Sequence, residues 1–314
     1  MTSLVVLTSC TGKTYSYMDY RLEMEYKAGF SIMQLTDIHL GIQSDVNATE
    51  ALLKEEIEQG SPNLIIFTGD TFMDATKSIV DSFFTFADSF DIPFAFTYGN
   101  HDAQGDYDKF YIPDKIMGCR NSMYIDYNDD DLFGQTNYYI DIVDNNYVKY
   151  RVYIVDSNSY YAPDGFTEKY DVIHEEQIAH IEDIAKNDTS YSVNSLAFFH
   201  IPLYEYDDAY KLYYDGTNYD TSMGFGKNRE KVSYGYKRTD AFARMKAAGI
   251  NSMFVGHDHI NDSTLMYQDV ILSYGVKSTR EIYNEKYGYA LISLDGTSRL
   301  KLSDISHVFL GEDK

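Results

Sequence analysis

The sequence predicts an α/β fold with a largely parallel sheet, built as one domain. Three observations carry that expectation. Short runs rich in Ile, Val, Phe and Leu end at turn residues, as buried strands do. Helical patterns stand between them, the alternation that builds parallel sheets. No internal repeat and no linker rich in Pro, Gly or Ser divides the 314 residues.

Residues 1–29 form a separate N-terminal segment. Leu4 to Leu7 followed by Thr8, Ser9 and Cys10 is similar to the "L-x-S-C" pattern at which bacterial lipoproteins are cleaved and lipidated, but the apolar stretch is short and lacks a basic leader. Two readings stand. One is a signal remnant with Cys10 as lipid anchor, in an extracytoplasmic lipoprotein. The other is an edge strand with an incidental cysteine, in a cytoplasmic protein. "TGKT" at 11–14 is not a phosphate-cradling loop, because the glycine needed five places before Gly12 is Leu7.

The strands follow in order: "SIMQLTDI" (31–38), "NLIIFTGD" (63–70), "PFAFTYGN" (93–100), "YRVYIVDS" (150–157), "SLAFFH" (195–200) and "SMFVGHD" (252–258). Between them, "NATEALLKEEIEQG" reads as a helix capped by Asn47, with Glu50 three residues later and Gly60 at its close. Further helices are expected over 77–90, 174–187 and 238–249. The tail, "STLMYQDVILSYG", "YGYALISLDG" and "RLKLSDIS", reads as consecutive antiparallel strands. Two stretches break the alternation and are expected to be insertion loops of a domain spanning 30–307. Residues 104–136 are polar, and the run Asp129 to Asp131 is read as a solvated loop. Residues 204–237 are dense in tyrosine, and Tyr204, Tyr206, Tyr210, Tyr213 and Tyr214 either pack a lid or stack on an aromatic or sugar group.

Composition narrows the chemistry. Lys and Arg number 26 against 49 Asp and Glu, a net charge of −23, which disfavours long nucleic acid and leaves an anionic substrate in need of local positive charge. Lys227, Arg229, Lys231, Lys237 and Arg238, opposed within that stretch by Glu230, are the cluster that could supply it. Two cysteines, Cys10 and Cys119, are too few for a disulfide framework or a thiolate zinc site. No apolar run reaches the ~18 residues that span a membrane as a helix.

Chemistry gathers where the strands stop. The first ends in Asp37 and His39, the second in Asp70, the third in Asn100, His101 and Asp102, and later ones in His200 and in His257 and His259. Ligands of open α/β sheets bind beyond the carboxyl ends of the strands, so these side chains can converge on one crevice. In an extended chain residues i and i+2 point the same way, which lets Asp37 and His39, or His257 and His259, reach one ion. Imidazole, carboxylate and amide ligands suit Mn, Fe or Zn. Seven such ligands are too many for one ion but fit two ions about 3.5–4 Å apart sharing a carboxylate. A lone "DxH" or "GD" is more often structural than a ligand. Here, however, five of the eight histidines sit at strand ends beside Asp, Asn or Gly. His174, His180 and His307 do not, and are assigned to helix surface or tail.

The ordered set "TDIHLG", "FTGD", "GNHD", "FFHIP" and "VGHDH", over residues 30 to about 295, resembles the calcineurin-like metallophosphoesterases. "FHIPLYEY" and "GHDHIND", with a glutamine-bearing helix before the former, are similar to the branch related to purple acid phosphatases. The resemblance implies a four-layer α/β/β/α sandwich with mixed sheets. It implies one metal on Asp37, His39, Asp70 and His259, and another on Asp70, Asn100, His200 and His257, with Asp70 bridging. The chain departs from the purple enzymes at Met73, where they place a tyrosine ligand, so no purple colour is expected. The phosphate-gripping arginine of the protein phosphatases is also missing from "GDTFMDA", which leaves Lys227, Arg229 and Arg238 as candidates for that work.

The expected reaction is hydrolysis of a phosphate ester, a monoester in preference, by hydroxide bridging two cations. His101 is expected to hydrogen-bond the phosphoryl group or protonate the leaving oxygen, and Asp102 either to orient His101 or to cap the following turn. A monomer acting on a small phosphorylated substrate is the expected form. The rivals are a nuclease or cyclic-nucleotide phosphodiesterase, and a lipid-anchored surface protein that binds metal without catalysis.

Overall fold

A computed structural model describes residues 7–8, 14–15, 17–108, 110–126, 132–187, 194–280 and 286–310, with side chains from Asp19 onward. Cys10, Gly12 and the run Asp129 to Asp131 lie outside the described residues, as do the expectations attached to them.

Two mixed sheets make the body of the molecule. The strands that matter are β1 (Arg21–Glu25), β2 (Ser31–Leu35), β3 (Leu64–Thr68), β4 (Phe94–Thr97), β5 (Asn137–Asp144), β6 (Tyr147–Val155), β7 (Asn194–Phe198), β8 (Gly224–Phe225), β9 (Ile250–Val255), β10 (Thr264–Tyr267), β11 (Val270–Tyr274), β12 (Gly288–Ser293) and β13 (Ile305–Phe309). The five-stranded sheet runs β13-β12-β2-β3-β4 and the eight-stranded sheet β8-β10-β11-β9-β7-β6-β5-β1. Pairing is parallel through β2, β3 and β4, and again through β6, β7, β9 and β11. Antiparallel strands flank both parallel blocks.

The sheets face each other across one hydrophobic core. Thr97 Oγ1 donates to Val155 O at 2.9 Å and Gln34 Nε2 to Val255 O at 3.0 Å, so polar pins as well as apolar packing join the layers. Strands covered on both faces need no polar face, which is why β2, β3 and β4 read as continuous apolar runs and are wholly buried. Helices α1 (Val46–Gly60), α2 (Lys77–Asp88) and α3 (Tyr111–Met117) pack on the first sheet, and α4 (Glu175–Asn187), α5 (Tyr204–Tyr213) and α6 (Ala241–Ala247) on the second. The result is the expected four-layer sandwich.

Several details differ from the sequence reading. The cap of α1 is Asp45, whose carboxylate accepts from Ala48 N at 3.1 Å, and the helix ends past Gly60 at Ser61, in the left-handed region with φ 43°. The tail is not one meander: β10 and β11 close the second sheet, whereas β12 and β13 cross to the first. Both insertions carry helices, α3 in one and α5 in the other. Strands β1 and β5 are hidden in the sequence because each carries charge. Asp141, fully buried in β5, accepts from Arg151 at 2.7 and 2.9 Å and from Arg21 at 2.7 Å. A buried carboxylate is tolerable only when paired in this way. His180 is not on a helix surface but buried, its ring 4.5 Å from that of Tyr20.

Candidate metal centre

Parallel strands of both sheets end on one side, and the polar residues that follow them meet there. The backbone does not remain extended, as the i, i+2 argument supposed. Asp37, His39, Asp70 and His257 have φ of 54°, 56°, 48° and 76°, left-handed conformations that non-glycine residues enter at a cost. Neighbouring loops hold them there: Asp37 N donates to Gly69 O at 3.2 Å, His39 N to Asp70 O at 2.9 Å and Leu40 N to Thr71 O at 2.9 Å. Two glycines make room. A Cβ on Gly69, itself at φ 79°, would sit 2.6 Å from the His200 ring, and one on Gly99 would sit 2.2 Å from Asp70 Oδ1. Side-chain bulk at either position would displace a neighbouring candidate ligand.

Two groups of ligand atoms result, each lying within 4.8 Å of one another: Asp37, His39, Asp70 and His259 in the first, and Asp70, His200 and His257 in the second. Asp70 belongs to both. His39 and His259 aim Nε2 at each other 3.0 Å apart, and His259 Nε2 lies 3.5 Å from Asp37 Oδ1. All are buried except His259, which is half-buried. Asp37 is fixed by the backbone N–H of His257 at 3.1 Å and the Thr36 hydroxyl at 2.9 Å, and Asp70 Oδ1 by the backbone N–H of His101 at 2.8 Å.

Buried donors and acceptors in a folded chain are nearly always paired, so unpaired ones need a reason. Asn100 Oδ1, His200 Nε2 and His257 Nε2 are buried without a hydrogen-bond partner among the described residues. They stand around Asp70 as the second group requires. His200 Nδ1 lies 2.9 Å from Thr68 O, and since a carbonyl only accepts, that nitrogen carries a proton and Nε2 faces the crevice. Nε2 is 3.1 Å from Asp70 Oδ2, yet without the alignment of a good hydrogen bond. A cation in common satisfies such a pair better than a proton does. The donors therefore fit two metal ions of the kind bound by imidazole, carboxylate and amide oxygen.

Electrostatics follow from the same crowding. Burial raises the Asp37 carboxyl, but His39, His200 and His259 outweigh it and hold it at about 2. Burial and then His200 act on Asp70 in the same opposed way, leaving it far below the usual carboxylate range. Burial depresses His200, but the Asp70 carboxylate overrides it and raises the imidazole above its ordinary value. Burial, and then the neighbouring His200, hold His257 well below the usual imidazole range.

The remaining expectations divide. His101 belongs to neither group; half-buried, it sets its ring 5.5 Å from that of His39 and its Nδ1 2.6 Å from Gln104 Oε1. Asp102 does not orient it. The Asp102 carboxylate accepts from the backbone N–H groups of Asp70, Phe72 and Gly99 at 2.9, 2.8 and 2.6 Å, pinning the turn after β4 to that after β3. The basic cluster is engaged elsewhere. Arg229 pairs with Asp262 at 2.6 Å, and Arg238 with Asp208 at 2.7 Å and Glu205 at 3.3 Å, while Lys227 lies over the Tyr219 ring. Tyr206 and Tyr213 are buried and bonded to backbone carbonyls, so they pack the domain rather than line the crevice. The tyrosines beside the ligands are Tyr160 and Tyr170, which sequence reasoning does not single out. Gln177 of α4 is a buried hub, donating to Asn137 Oδ1 and Asp156 O and accepting from Asn158 and His174.

The calcineurin-like phosphoesterase profile matches residues 30–261. Phosphatase DCR2 of Saccharomyces cerevisiae is 28% identical over 273 residues, 78% of this chain and 46% of the yeast protein. Probable inactive purple acid phosphatase 29 of Arabidopsis thaliana is 28% identical over 301 residues, 81% of this chain and 73% of that one. A dimetal phosphatase from Danio rerio superposes with a TM-score of 0.56 at 12% identity, over 85% of this chain and 93% of that one, a likeness of fold. The chain thus spans about half the length of its yeast relative.

Proposed function

The chain belongs to the calcineurin-like phosphoesterase family, and on that premise we propose that it is a two-cation phosphatase that hydrolyses phosphomonoesters. Asp37, His39, Asp70 and His259 would hold one cation, and Asp70, Asn100, His200 and His257 the other. The observation that carries the reading is the place of Asp70 in both groups, beside buried ligand atoms that nothing else in the described chain satisfies.

Bound there, two ions of the Mn, Fe or Zn kind supply Lewis-acid neutralisation of the phosphoryl oxygens and lower the pKa of a coordinated water. The chain does the rest. Thr36 and the His257 amide orient Asp37, and the His101 amide orients Asp70, so the carboxylates are set before substrate arrives. Thr68 O holds His200 in the tautomer that presents Nε2. His101, outside both groups and open to solvent on one side, is placed to hydrogen-bond the phosphoryl group and to pass a proton to the leaving oxygen. Asp102 has a scaffolding role, tying the loops that carry Asp70 and Asn100.

The word "inactive" in the name of the Arabidopsis relative makes turnover the decisive observation. Each ion in turn is restored to the metal-stripped chain, which is then assayed with p-nitrophenyl phosphate and its bis ester. Faster turnover of the monoester is expected. Turnover of the diester alone would move the protein to the phosphodiesterases, and two bound ions with no turnover of any ester would make it a metal-binding protein.

A further inference from the structure

The phosphate in such a site needs hydrogen-bond donors on its oxygens in addition to cations, and Arg229 and Arg238, which might have served, are each paired with carboxylates. Another group is better placed. A short antiparallel ribbon sets Tyr160 opposite Tyr170 beside the second ligand group. The Tyr170 ring meets that of His257 edge-on at 4.3 Å. The Tyr160 hydroxyl accepts from Asn100 Nδ2 at 2.9 Å, and its ring centroid lies 6.3 Å from that of His101. Gln104 Oε1 faces His101 Nδ1 at 2.6 Å on the same side of the ribbon. Ser159, next in the chain, donates to Asn100 O at 2.8 Å and fixes the ribbon to the ligand loop.

The consequence is directional. Asn100 Nδ2 can only donate, so in that bond the Tyr160 oxygen is the acceptor. A phenol oxygen has two acceptor positions and one proton. The Asn100 bond uses an acceptor position and leaves the proton to be given, and Tyr160 is 37% exposed, so a ligand in the crevice can take it. We infer that Tyr160 is a phosphoryl-binding residue whose O–H donates to a non-bridging oxygen of the bound phosphate, beside His101. This rests on the phosphoesterase reading and adds to it a donor absent from the ligand set.

The test is Tyr160→Phe in the full chain loaded with Mn2+, which keeps the ring and removes the hydroxyl. Inorganic phosphate is titrated in by calorimetry and the metal content is measured alongside. The expected result is two ions per chain in both proteins, phosphate affinity about 10-fold weaker in the variant, and kcat on p-nitrophenyl phosphate lower by about 10- to 10²-fold. Unchanged phosphate affinity with reduced metal content would overturn the inference, leaving Tyr160 as a prop for Asn100. If wild type binds metal and phosphate and the variant matches it in every respect, this inference alone falls. If wild type does neither, the phosphoesterase reading falls and takes this one with it.

Discussion

The crevice at the strand ends and the tyrosine-rich segment 204–237 are both polar. On composition alone the segment is the stronger candidate for a binding region, because it gathers cations in an acidic protein. The structure reverses that order. In the crevice, four candidate ligands sit at positive φ, and four buried side-chain atoms of candidate ligands, on His39, Asn100, His200 and His257, lack partners among the described residues. In the segment, Arg229 and Arg238 are paired with carboxylates, and the hydroxyls of Tyr206, Tyr210, Tyr213 and Tyr214 all donate to backbone carbonyls. Among the described residues there, only the side-chain amide of Asn228 stands buried and unsatisfied, at one isolated position. Charge marked the region that is electrostatically complete, whereas strain and missing partners marked the region built to receive something.

That contrast can be broken by substitution. The largest effect is expected for Asp70→Asn, which weakens both groups together: turnover should vanish and the metal content of the purified protein should fall. Near-normal turnover with two ions retained would dissolve the distinction. Next comes His101→Ala, which should keep its metals and lose about 10² to 10⁴ in kcat, the usual range for a proton-transferring group; loss of metal would recast it as a ligand. At the other region, Arg238→Gln removes an exposed ion pair and should change kcat/KM by no more than about 2-fold, since such pairs contribute little. A 10-fold loss would show that the cluster does serve the substrate.

Glu56 is also buried with both carboxylate oxygens unsatisfied, but it lies on α1 and belongs to neither ligand group. Burial, with Glu55 adding to it, pushes its carboxyl well above the usual range, so the folded chain holds the proton to higher pH than the unfolded chain, which ionises above about pH 4.3. Its contribution to stability is therefore complete in acid and lost as pH rises. Glu56→Gln should gain about 1–3 kcal/mol at pH 8 in urea unfolding, with the gain shrinking toward pH 5 and kcat unchanged. A gain independent of pH would contradict the raised carboxyl. An orphaned polar group signals function when several converge, and mere cost when it stands alone.

Most of the candidate site was legible because it lies where apolar runs stop, and a run's end is the sharpest mark a buried strand leaves in sequence. Asp37, His39, Asp70, Asn100, His200, His257 and His259 are all legible in that way. Tyr160 and Tyr170 are not, since two-residue ribbon strands leave no periodic pattern to read. The work of Asp102 stays ambiguous in the sequence because only the folded chain reveals three amides pointing at it. Strand β5 is masked by Asp141, whose charge reads as surface until Arg21 and Arg151 are seen beside it. The division of the tail between two sheets depends on pairings across more than 250 residues, as between Ile292 and Ile32, which no local pattern encodes.

The claim beneath all of this is that the unpaired atoms around Asp70 await two neighbouring cations. Elemental analysis of the metal-stripped chain after incubation with manganese and removal of excess tests it most directly. Two ions per chain in wild type, falling in Asp70→Asn, is the predicted result, and an uptake of one ion or none by wild type would contradict it.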